Sequence, residues 1–142
     1  MNKIDCCNAL KDLRGFIGSS QLRVVSEGSR GEEKQFFFDK MCELAAIVKG
    51  MPTTGAQDGK GRDAIAYLHY FKGNLDFYIT EKDIGSPDDK PEDFQCQAFG
   101  LADLFGDGGE LGYISIPELL ENGMELDFHF MPKTLRECYP HI

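Results

Sequence analysis

The stretch "DAIAYLHYFKGNLDFYITE" (residues 63–81) decides the fold. Its two halves, "DAIAYLHYF" and "LDFYITE", are rich in β-branched and aromatic residues and alternate with a period of two. Lys72-Gly73-Asn74 separates them, and a glycine-asparagine turn between two such runs predicts a tight β-hairpin.

Downstream, "SPDDKPED" is a polar, proline-containing loop. "FQCQAFGLADL" and "ELGYISI" read as a second strand pair around the turn "FGDGG". Ser115 and Glu118 have capping-box spacing with Pro117 in the first turn, which starts a short helix through "PELLENG" with Gly123 as its C-cap. "MELDFHF" reads as a fifth strand and "PKTLREC" as a last helical turn.

Upstream, Ile4, Cys7, Leu10, Leu13 or Arg14, and Ile17 fall at helical spacing over residues 3–17, a short amphipathic helix. "GSSQLRVVSEGSRG" reads as a loop with a brief extended piece at Leu22–Val25. In "SRGEEKQFFFDKMCELAAIVKGMP", Ser29 and Glu32 have capping-box spacing, and Phe37, Met41, Leu44, Ala45 and Val48 form one helical stripe. Gly50 and Pro52 end that helix. The order is two helices, four strands, a helix and a strand. That predicts an α+β fold: a mostly antiparallel sheet of about five strands with the N-terminal helices packed on one face. At 142 residues the chain reads as one domain. Residues 1–30 supply an N-terminal helix and loop, and 31–142 supply the helix and sheet core.

No apolar run approaches the ~20 residues needed to span a bilayer, and "MNKIDCCNALKDL" has no continuous apolar core of the signal-peptide kind. Five scattered cysteines without a C-x-x-C argue against a disulfide framework or zinc knuckle and suit a reducing cytoplasm.

Before the hairpin stands "QDGKGRD" (57–63). A phosphate-cradling P-loop needs Ser or Thr after its lysine and a following helix. Here Gly61 follows Lys60, and a strand follows the loop. Gly59 and Gly61 are better explained by positive φ at a sharp connection, with Asp58 and Asp63 bonding loop amides.

Other chemistry is sparse. His69 and His129 lie on different predicted strands. His129 alternates with Phe128 and Phe130 and so falls on the opposite face beside Asp127, a pairing that would suit a general base or a metal ligand. Cys138 near His141 lacks an orienting third group for a nucleophilic dyad. No cofactor or metal motif is present, and no basic patch interleaved with aromatics suggests direct nucleic-acid binding.

Charge is the strongest signal. Net charge is −9. Residues 1–82 carry 12 Lys/Arg against 11 Asp/Glu, whereas residues 83–127 carry one base, Lys90, against 12 acids. Such a segment repels a phosphate backbone and attracts a basic surface; it also solubilises. Asp88, Asp89, Glu92 and Asp93 in one loop and Asp103, Asp107 and Glu110 around the next turn lie at opposite ends of one strand, about 20–30 Å apart.

From Phe36 to Glu137 the motifs "DGKG", "YLHYF", "YITEKD", "FGLA", "ELGYIS" and "ELDFHFMPKTLRE" occur in order. In these the chain resembles an uncharacterised domain family common on plasmids, prophages and integrative elements. The resemblance implies a mobile-element setting near DNA-processing or antirestriction genes and supplies no activity. Members often carry Trp where this chain has Phe77, a packing substitution.

Two functions follow. One is a small acidic binding protein whose partner is a basic nucleic-acid-binding protein or ribonucleoprotein complex, inhibited in the manner of anti-CRISPR or antirestriction proteins. The other is a small hydrolase or transferase using Asp58, Lys60, His69, Asp76, Tyr78 and Glu81 around the first hairpin.

Overall fold

In the computed structural model the described residues are 3–28, 34–85, 88, 94–106 and 108–139, with only the backbone described for 3–7 and 24–26. The Ser29–Glu32 capping box, His141 and the acids Asp89, Glu92, Asp93 and Asp107 lie outside them.

Three helices come first: α1 (Lys3–Asp12), α2 (Ser19–Gly28) and α3 (Lys34–Gly50). The first ends at Asp12, earlier than the apolar spacing suggests, and Leu13 and Phe16 are buried from the turn that follows. The second replaces the expected loop. "SSQLRVVSEG" is polar enough to resemble a loop, but α2 lies at the sheet edge, where Gln21 bonds the backbone of Leu126. In α3 the stripe Phe37, Met41, Leu44, Ala45 and Val48 is buried as its spacing predicts. Lys82 Nζ donates to the carbonyls of Val48 (2.8 Å) and Lys49 (3.3 Å), satisfying the end of that helix.

The strands are β1 (Ile65–Ala66), β2 (Leu68–Lys72), β3 (Leu75–Glu81), β4 (Ala98–Asp103), β5 (Glu110–Ile114), β6 (Glu125–Leu126) and β7 (Lys133–Thr134). They form a five-stranded antiparallel sheet of order β5-β4-β3-β2-β6, with β1 and β7 as a separate antiparallel pair. The fold is α+β. The first predicted strand is thus divided at Tyr67, whose amide donates to the Ile79 carbonyl (2.8 Å). The β2–β3 hairpin turns on Gly73-Asn74. At the β3–β4 irregularity between Ile79 and Glu81 the backbones crowd, and a Cβ on Gly100 would lie 1.9 Å from the Tyr78 carbonyl oxygen. Only glycine fits there.

Helix α4 (Ile116–Glu121) starts where Ser115 Oγ accepts from the Glu118 amide (3.4 Å). Its C-cap is Asn122, and Gly123 follows at φ +79°. The predicted fifth strand shrinks to Glu125–Leu126, because the Asp127 carboxylate accepts the His129 amide (2.9 Å) and turns the chain. Helix α5 (Leu135–Cys138) opens on a full Thr134/Glu137 capping box.

One face of the sheet contributes Leu68, Tyr70, Ile79, Ala98 and Ile114 to a core shared with α1, α3, α4 and Leu126. Side chains from residues 9–17 belong to that same core. The Tyr70 hydroxyl donates to the Phe16 carbonyl, and burial pushes its pKa up. The other face carries a smaller cluster of Ala64, Ala66, Leu101, Phe130 and Leu135, which the β1–β7 pair and α5 cover.

Candidate functional site

The polar chemistry collects on that second face. Alternation along β2 and β3 places His69 opposite Tyr78 and Phe71 opposite Asp76, and Asp76 in turn opposes Asp103 on β4. Asp127 reaches the same place from the end of β6. His69 Nε2 lies 2.7 Å from Asp76 Oδ1, and Nδ1 lies 2.9 Å from Asp127 Oδ2. The imidazole stacks on Tyr78, with centroids 4.5 Å apart and planes at 12°, and Phe71 and Phe130 flank it at 5.8 and 5.7 Å.

A neutral imidazole has one donor nitrogen and one acceptor, while ionised carboxylates only accept. Two such bonds are both satisfied by an imidazolium, or by a neutral ring with one carboxyl protonated. In the first case one positive charge sits between two negative ones. Either way, both ring nitrogens are occupied. The side chain ties β2, β3 and the Asp127 turn together and presents no free nitrogen to a substrate.

Beside this lies a second network. Asp103 is buried; its Oδ1 accepts the amides of Phe105 (3.3 Å) and Gly106 (2.7 Å), and its Oδ2 accepts the Tyr139 hydroxyl (2.8 Å). Burial first, then the negative charge of Asp76, pushes the Tyr78 phenol up to about 12, against the opposing bond from Tyr139. Burial and the bond to Asp103 raise Tyr139 further. Burial also raises the Cys138 thiol, although Lys133 opposes it. At neutral pH these groups stay protonated, so neither phenolate nor thiolate is available as a nucleophile.

The predicted polar site therefore assembles only in part. His69, Asp76 and Tyr78 converge. Asp58 and Lys60 are exposed in the loop before β1. Glu81 is buried at the far end of β3, where Oε1 accepts the Gln57 amide (2.6 Å). Gly59 and Gly61 do take positive φ, +83° and +54°. The loop is fastened differently from expectation, however: Asp63 pairs with Arg136 (3.0 Å), and the Gln57 side chain bridges Ile65 and Thr80. His129 is exposed on a turn, so the aspartate beside it bonds its amide, and the imidazole held by Asp127 is that of His69. Sequence reasoning missed Asp127 as the second partner of His69, and also Tyr139. Only tertiary pairing across 58 residues brings Asp127 to His69.

Of the acids assigned to partner binding, Asp103 is buried, where it accepts from the Phe105 and Gly106 amides and the Tyr139 hydroxyl. Asp88 and Glu110 are exposed. Among the described residues no group of three or more His, Cys, Asp and Glu side chains is placed to hold a metal ion. No helix among them is long and apolar enough to cross a membrane.

A groove of about 910 Å³ runs along the β6 edge of the sheet, between the start of α2 and the end of α4. Half-buried Phe71, Leu120 and Phe128 line it, with Glu121, Glu125 and Asp127 at its rim. Gln21 crosses one end, where Nε2 donates to the Leu126 carbonyl and Oε1 accepts the Leu126 amide, both at 2.8 Å.

No family model, curated protein or solved structure matches the chain.

Proposed function

We propose that the protein is a non-enzymatic binding protein. Its acid-rich segment 83–127 docks on the basic surface of a nucleic-acid-handling partner, either a protein or a ribonucleoprotein complex, and competes there with nucleic acid. Inhibition of a host defence complex is the role that fits such competition in the mobile-element setting the resemblance implies.

The observation that carries this reading is that four exposed glutamates of the segment have no cation partner among the described residues. Glu110, Glu118, Glu121 and Glu125 are exposed and enter no ion pair with a described residue. The Lys and Arg pairs between described residues are Arg23–Glu27, Lys40–Glu43, Lys49–Asp12 and Arg136–Asp63, and all use acids outside residues 83–127. Exposed charge of one sign raises association rates with an oppositely charged surface and excludes DNA itself. The occupied nitrogens of His69 weigh against the hydrolase or transferase alternative, because a general base must reach the proton it takes.

The test is capture of the partner by the tagged chain from host extract, with and without nuclease, followed by titration of the purified pair with duplex DNA. The expected result is nuclease-resistant capture and displacement by DNA. A partner that holds DNA and this protein together without competition would contradict the proposal.

A further inference from the structure

The groove beside β6 combines two chemistries that the acidic-docking reading leaves unassigned. Its lining includes aromatic and aliphatic side chains that the fold leaves half-buried, Phe71, Leu120 and Phe128. Its rim carries Glu121 and Glu125, both exposed and without an ion-pair partner among the described residues. Asp127 also lines the groove, but His69 and the His129 amide take its oxygens. Lys72 is exposed, and its ammonium donates to the Asn122 carbonyl at 2.7 Å beside Gly123, which also lines the groove. Two exposed glutamates against this one lysine leave the groove's charge negative.

We infer that this groove receives a short basic amphipathic helix of a partner protein, with apolar side chains on Phe71, Leu120 and Phe128 and Lys or Arg against Glu121 and Glu125. The inference rests on the acidic-docking reading and gives it a location. Three arguments select this occupant. A volume of about 910 Å³ lies near the top of the range for a ligand pocket, about 300–1,000 Å³, and holds several side chains at once. Addition of a β-strand at Leu126 is blocked, because the Gln21 amide already fills both backbone positions of that edge residue. Side-chain anchoring in a groove remains, and the rim charge selects a basic segment.

The probe is a fluorescein-labelled peptide with Leu at helical i, i+3, i+4 and i+7 spacing and Lys elsewhere, titrated against the full chain by anisotropy and by amide chemical shifts. Shifts should centre on Phe71, Leu120 and Phe128. Glu121→Lys with Glu125→Lys should weaken binding by about tenfold or more, while Glu43→Lys, on α3 and outside the groove lining, should change it by less than about threefold. A loss from Glu110→Lys, on the opposite edge strand β5, equal to that from the rim pair, with scattered shifts, would overturn the groove and leave acidic docking standing. Equal binding of a peptide with Glu in place of Lys would overturn both. A peptide with Ser in place of Leu that binds as tightly would show that the apolar lining is unused and overturn the groove. Shifts of the same residues on concentrating the protein alone would assign the groove to a second copy, which also overturns the proposal.

Discussion

The two faces of the central sheet are built on opposite principles. The face under α1 and α3 is almost wholly apolar: Leu68, Tyr70 and Ile79 meet Leu13, Met41 and Leu44, and Tyr70 bonds its one hydroxyl to a carbonyl. Its cohesion is area removed from water, which is non-directional and tolerant of exact placement. The face under β7 and α5 places His69, Asp76, Asp127, Tyr78, Asp103 and Tyr139 around a small apolar cluster. Its cohesion is directional, and each polar group depends on a partner brought from another part of the chain. The difference teaches where sensitivity lies. The first face fails when a charge enters it, and the second when a partner is removed.

The largest effect is expected on the first face. Leu44 is fully enclosed, and Leu44→Asp places an unpaired carboxylate among Met41, Val48 and the sheet. Such burial costs several kcal/mol, comparable with the whole stability of a domain of this size. Circular dichroism should show a chain unfolded or nearly so at room temperature. A melting temperature equal to that of the parent would break the comparison.

On the second face, His69→Phe keeps the stack on Tyr78 and removes both carboxylate bonds. Asp76 and Asp127 are then left without their shared hydrogen-bond partner, and the expected loss is about 2–3 kcal/mol by denaturant unfolding. Undiminished stability would mean that the aromatic stack, and not the paired carboxylates, holds this face.

A smaller effect appears in alkali. The Tyr78 phenol is raised to about 12 in the folded chain, against an ordinary value of 10.0. A raised value favours the protonated, folded form. Its contribution is complete below about pH 10 and disappears as pH rises toward 12. Stability should therefore fall across that window, and Tyr78→Phe should flatten the fall. Tyr139, raised by burial and by its bond to Asp103, acts in the same direction. An identical alkaline decline in the Phe variant would remove Tyr78 from the account.

The smallest effect is expected away from both faces. Lys60 is exposed between two glycines whose φ is positive. Lys60→Ala should change stability by less than about 0.5 kcal/mol. ATP or GTP binding that this substitution abolishes would restore the phosphate-loop reading.

The same contrast explains what the sequence revealed. The apolar face was legible because periodicity needs only neighbours: the α3 stripe and the β2–β3 hairpin stand where their spacing puts them. Helix α2 was not legible, since Ser19, Ser20 and Gln21 resemble a loop until the β6 edge supplies Gln21 with its two bonds. Helix α5 stands inside the last helical turn expected of "PKTLREC", where Thr134 and Glu137 form its capping box. The polar face was half legible. Alternation puts His69 and Asp76 on strands that pair, and no local pattern reports that Asp127 turns toward His69. Asp103 misled as a surface acid because its two-residue Asx turn and the Tyr139 hydroxyl draw it inward.

The central claim is that the exposed glutamates Glu110, Glu118, Glu121 and Glu125 of residues 83–127 belong to a binding surface. The most direct measurement is the dissociation constant of the captured partner complex across ionic strength, for the parent chain and for the Glu110/Glu118/Glu121/Glu125→Lys variant. Exposed charges are screened beyond about 8–10 Å near physiological salt. The parent affinity should weaken steeply, by about tenfold or more from low to physiological salt, and the reversed variant should fail to bind while melting as the parent does. An affinity that is flat with salt and unchanged by the reversals would contradict the claim and leave the acid excess as a solubilising surface.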